Sequence, residues 1–150
     1  MTLGLAEEQP FAQAADVPLQ KLAFRASAGT GTLVMDEAAE YVRFPRAILD
    51  HIGVKPQNAR LMESSGDSMR PTIDDRDTMC VDVSSTDIVE GKVYVFTIGD
   101  QVYVKRLRRG ARGQVFMMSD NRDLFPNDEP VPADQTFTIH ARVKWAGRSL

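Results

Sequence analysis

The stretch SSGDSMRPTI (residues 64–73) sets Ser68 between Asp67 and Met69, with Gly66 before it and Pro71 after it. Glycine and proline at such offsets mark a sharp turn. A serine held on one is either a turn residue or a nucleophile. A nucleophilic serine needs a base to take its proton, and histidine held by a carboxylate is the usual one. The chain has two histidines. His51 falls in a helical stretch and His140 in the middle of the strand-like FTIHARV, so both read as structural or surface residues. The other solution is a lysine that burial has deprived of its proton. A free lysine titrates near about 10.4 and is no base at neutral pH. An apolar surrounding must bring it toward about 7–8.

The segment VYVKRLRR (residues 102–109) offers such a place. Alternation along a strand puts Tyr103, Lys105 and Leu107 on one face and Val104, Arg106 and Arg108 on the other. Lys105 then has an aromatic ring and a leucine beside it, and the two arginines are expected to point to solvent. Pattern alone favours the plainer alternative, a lysine that snorkels from a half-exposed strand. Lys21, Lys55, Lys92 and Lys144 lack both this register and the closeness to the serine motif.

The elements that must position these residues read mostly as strands. LQKLAFRAS is a candidate first strand, and SAGTGT a glycine-broken loop. That loop lacks the Gly-Lys-Ser/Thr ending of a phosphate-binding loop. FPRAILDHIGV carries the clearest helix signals: Pro45 near the first turn, Ile48 and Ile52 four apart, and Gly53 as a stop. NARLMES leads into the serine motif and TMCVDV follows it. KVYVFTIGDQVYVKRL reads as a hairpin turning at Gly99-Asp100. RRGARG is a further turn before QVFMMS, DNRDLFPNDEPVPAD reads as a long irregular loop, and FTIHARVKWAG closes the chain as a strand. Few helices and many short strands predict a mainly β, compact and curled domain with one or two short helices. Residues 1–20 read as a flexible tail or linker stub and 21–150 as the domain.

Composition narrows the function classes. The 150 residues are 43% hydrophobic and 26% charged, as in ordinary globular proteins, and the net charge of −3 gives no support for a dedicated nucleic-acid surface. KRLRRGAR reads as a solvated hairpin turn, because no DNA-reading element accompanies it. No run approaches the roughly 18 apolar residues of a membrane span. The N-terminus lacks the basic start of a signal peptide, so a cytoplasmic protein is expected. Cys80, the single cysteine, lies in an apolar run and is expected to be a buried core thiol. One cysteine and two distant histidines predict no structural zinc, and no cofactor is expected.

The serine and lysine segments together resemble the Ser–Lys peptidases of the LexA and signal-peptidase superfamily. These carry their serine in an S-M-x-P or S-G-x-S-M box and their lysine in a V-K-R/K-L strand. Here SGDSMRPTI is followed, 37 positions from serine to lysine, by VYVKRLRR. The resemblance covers roughly residues 21–150, and the ending ARVKWAGRSL is similar to the last strand of phage-type repressor C-terminal domains. It implies that Ser68 is the nucleophile and Lys105 its general base, with backbone N–H groups around Asp67 and Ser68 holding the oxyanion. Met69 and Ile73 would pack beneath the turn, and Pro71 and Thr72 would shape its start.

The resemblance also implies a substrate. The self-cleaving branch cuts itself at an Ala-Gly or Cys-Gly bond upstream of the serine, and Ala28-Gly29 lies in a loop near 26–32. Small residues would suit a narrow slot, and Gly29 the turn needed to enter it. The implied protein is a repressor domain that dimerises, with the C-terminal strand as interface, and that is cut when a RecA filament stimulates it in a DNA-damage response. DNA would be bound only through a helix-turn-helix domain that residues 1–20 are too short to form. The alternatives are a UmuD-like accessory subunit of an error-prone polymerase, and a dimerisation module that never cuts.

Overall fold

The computed structural model describes residues 15–26 and 33–148. Strand β1 (Asp16–Ala26) and strand β2 (Leu33–Pro45) form a long antiparallel ribbon, with Ala26 opposite Leu33 at its far end. The short helix α1 (Arg46–Ile52) follows directly. After it come β3 (Ala59–Glu63), β4 (Thr78–Asp82), β5 (Lys92–Ile98), β6 (Gln101–Arg109), β7 (Val115–Met118), β8 (Glu129–Pro130) and β9 (Phe137–Gly147). One nine-stranded sheet runs in the order β2-β1-β3-β4-β9-β5-β6-β7-β8. The mainly β, curled fold expected from the sequence is the fold observed. Register shifts in the β1–β2, β4–β9 and β5–β9 pairs bend the sheet.

Helix α1 forms where its signals lie. Pro45, already extended at φ −61°, caps its start, and Gly53 ends it at φ 72°, its N–H donating to the Leu49 carbonyl. Leu49 is fully buried, with Ile48 and Ile52 packed around a core cluster of Val17, Leu19, Phe44, Leu61 and Cys80. The edge of the Phe44 ring meets Trp145 at 5.1 Å between centroids. Cys80 is the buried core thiol expected. Burial, aided by the nearby charge of Asp82, pushes its pKa up to about 12.

Two sequence expectations are corrected here. The first strand begins at Asp16, so residues 16–20 are not tail, because Val17 and Leu19 are apolar anchors in the core. The stretch 120–134 is not wholly irregular: it contains β8, which pairs with β7 through Phe116–Pro130 and Met117–Glu129. The C-terminal strand β9 is central, hydrogen-bonded to β4 on one edge and β5 on the other. Its C-terminal half, residues 142–147, pairs with β4, and its N-terminal half, residues 137–142, pairs with β5. Among the described residues, no helix is long and apolar enough to cross a membrane.

Candidate active site

The serine turn hangs between β3 and β4 and is pinned at its base by Ser64. This buried hydroxyl donates to the Asp74 carbonyl (2.5 Å) and accepts from the Asp77 N–H (2.9 Å). Gly66 takes φ 89°, a left-handed conformation that glycine adopts at no steric cost, and its N–H donates to Asp75 Oδ1 at 2.8 Å. Met69 and Ile73 are buried in the core cluster beneath, as expected. Ser68 itself is half-buried.

Lys105 lies on β6 directly opposite Tyr94 of β5, a fully buried residue. Directly opposed residues share a face, so Tyr94 joins Tyr103 and Leu107 around the lysine stem. Lys105 is 7% exposed, which makes it buried and not snorkelling. Burial lowers its pKa from the ordinary lysine value, opposed in part by the negative charge of Glu129. Its Nζ donates to Ser119 Oγ at 2.7 Å and lies 4.6 Å from the centre of the Phe125 ring.

Ser68 and Lys105 line one cavity of about 700 Å³. Its walls come from Leu22, Ala23 and Phe24 of β1, Met62 of β3, and Val104 of β6. Among the described residues no hydrogen bond joins Lys105 to Ser68. In unliganded sites such bonds are often formed only when substrate arrives. Ala28 and Gly29 lie outside the described residues. The strand that leads to them, β1, forms part of the cavity wall.

Neither histidine shares this cavity. His51 is exposed on α1. His140 Nε2 is 2.9 Å from Thr97 Oγ1, its ring meets Phe24 edge-on at 5.0 Å, and burial lowers its pKa.

The residues that sequence reading missed are Ser119, Asp120 and Asn121. Ser119 is buried and receives the lysine. Asp120 accepts two bonds from Arg106, at 2.7 and 3.0 Å. Asn121 donates its backbone N–H to the Ser68 carbonyl and its side-chain amide to the Asp67 carbonyl, both at 3.0 Å. The only signal was a polar Ser-Asp-Asn run ending the apolar VFMM strand, which reads equally as an ordinary turn. Arg106 and Arg108 do not simply point to solvent as expected. They pair with Asp120 and Asp128, carboxylates 14 and 20 residues further along the chain in the segment after β7. Arg109 and Arg112 are exposed, as a solvated turn requires.

Comparison with known proteins agrees with this architecture. The chain is 32% identical over 131 residues to the HTH-type transcriptional regulator PrtR of Pseudomonas aeruginosa, covering 87% of this chain and 51% of that protein. It is 33% identical over 95 residues to the repressor protein CI of Enterobacteria phage phi80, covering 62% of this chain and 40% of that protein. Against the 26 kDa repressor protein of Escherichia phage HK022 it is 34% identical over 102 residues, 65% of this chain and 43% of that protein. The chain thus spans about half the length, or less, of these curated relatives. Residues 20–144, from within β1 to within β9, match the model of the Peptidase S24-like family, and the chain belongs to that family.

Proposed function

We propose that the domain is a Ser–Lys peptidase that cuts its own chain at Ala28-Gly29, and that it serves as the C-terminal part of a repressor. The observation that carries this reading is that Ser68 and a buried Lys105, whose pKa burial lowers, line one cavity walled by the strand that leads to the bond. Lys105, released from Ser119 when the segment docks and excludes water, takes the Ser68 hydroxyl proton. Ser68 Oγ attacks the Ala28 carbonyl carbon, the proton passes to the Gly29 nitrogen as the C–N bond breaks, and water then hydrolyses the acyl-enzyme ester. The Asp67 carbonyl is turned toward Asn121. In a trans peptide the N–H points the opposite way, so the Ser68 N–H faces away from Asn121 and is available as an oxyanion donor.

Resemblance extends the reading to dimerisation and to stimulation by a RecA filament. The relatives are named as HTH-type regulators and phage repressors, which supports the repressor role over a UmuD-like one. The decisive experiment incubates the protein across a pH series, with and without activated RecA, and weighs the fragments. The neutral fraction of Lys105 grows tenfold per pH unit below its pKa. The cutting rate should therefore rise about tenfold per unit and level off below the ordinary lysine value. An uncut chain at alkaline pH with activated RecA present, or equal cutting by Ser68→Ala, would overturn the assignment and leave the dimerisation module standing.

A further inference from the structure

The segment that receives the lysine also grips the serine turn. Lys105 and Arg106 are consecutive on β6, and they donate to the consecutive Ser119 and Asp120. The Asp120 carboxylate has a second partner, Thr72, whose hydroxyl donates a third hydrogen bond, to Oδ2, from the serine turn. Arg106 is anchored in turn, donating through Nη1 to the Gly91 carbonyl at 2.7 Å, just before β5. We infer that Asp120 is a positioning residue: shared between Arg106 on the base's strand and Thr72 on the nucleophile's turn, its carboxylate sets the separation of Ser68 and Lys105.

The chemistry suits a rigid joint. A two-point guanidinium–carboxylate pair fixes orientation as well as distance. The pair is partly withdrawn from water, Asp120 being 15% and Arg106 33% exposed at the side chain, so salt screens it less than a surface pair. Burial alone would raise the Asp120 pKa. Hydrogen bonds from Arg106 and Thr72, with the charges of Arg106 and Arg122, outweigh it and hold the carboxyl below the ordinary range. Asp120 therefore stays ionised wherever Lys105 can lose its proton. The other charged groups facing this region are Glu129 on β8 and the cavity-lining Lys21, Glu63 and Asp100.

The kinetic part of this inference rests on the Ser–Lys reading, and the structural part does not. The test therefore uses two readouts on Asp120→Asn, Thr72→Val and Thr72→Ser. The first is amide exchange at Arg70 and Asn121, whose N–H groups bond to Asp67 and Ser68. The second is the cutting rate across pH. A misplacement of about 1 Å can cost on the order of a hundredfold in rate. Asp120→Asn should speed exchange at both amides and slow cutting by at least about tenfold, with amides of the β3–β4 pair unchanged. Thr72→Val, an exposed change that keeps the fold, should act the same way more weakly, and Thr72→Ser should behave as the parent. Unchanged exchange at Arg70 and Asn121 in both Asp120→Asn and Thr72→Val overturns the inference. So does faster exchange with an unaltered rate in a parent that cuts. A parent that never cuts removes the peptidase reading, while exchange still decides the joint.

Discussion

Lys105→Met should abolish self-cleavage and leave the domain at least as stable as the parent at neutral pH. A positioned general base contributes about 10²–10⁴-fold, and methionine has no lone pair that can take the serine proton. Stability moves the other way for a reason visible in the fold. Holding an ammonium away from water is costly, and an apolar side chain of similar volume removes that cost. The lost bond to Ser119 Oγ costs about 1 kcal/mol against it. The sign with pH follows from linkage. Because burial lowers the folded-state pKa of Lys105, the penalty is fully present below that value. Between it and the ordinary lysine pKa the unfolded chain holds a proton that the folded chain has released, so the parent gains stability as pH rises. The advantage of Lys105→Met should shrink across that window. Chemical denaturation of both proteins over a pH series measures it, and a gap that widens with pH would refute the buried-ammonium account.

Tyr94→Ala carries the second large effect. Tyr94 is fully buried opposite Lys105. Its hydroxyl donates to the Asp87 carbonyl and accepts from the Val89 N–H, both at 2.8 Å. Truncating a buried aromatic side chain costs about 3–5 kcal/mol. In the fraction that remains folded, water reaches the lysine stem, the desolvation that lowers its pKa weakens, and the pH of half-maximal cutting should move up. Denaturation gives the first quantity and a cleavage profile below the unfolding transition gives the second. An unmoved profile in folded Tyr94→Ala would show that the lysine owes its environment to other neighbours.

Strands β3 to β7 and β9, the helix and the facing of Lys105 were legible because each is written locally, whereas β2 and β8 were not. Period-2 alternation gives the β6 face, Pro45 and Gly53 bound α1, and Gly99 turns the hairpin at φ 58°. The partners of that face were not legible, since Tyr94, Ser119 and Phe125 reach Lys105 only through pairing and loop closure. The same holds for Arg106. Alternation correctly puts it on the face opposite Lys105, but nothing local announces a carboxylate 14 residues on. The start of β1 was misplaced because Pro18 weakens the strand signal, although Val17 and Leu19 on either side of it are buried.

The ribbon of β1 and β2 gives the proposed cut an unusual aftermath. Ten residue pairs join the two strands, from Asp16–Pro45 to Ala26–Leu33, and all of them lie on the near side of Ala28-Gly29. Breaking that bond opens a closed hairpin into two chain ends that remain zipped along its whole length. Cutting and release are then separate events, with strand melting between them. Cleaved protein should run as one particle under native conditions and as two pieces only once denatured, so loss of the N-terminal piece would follow the clock of unzipping and not that of the serine.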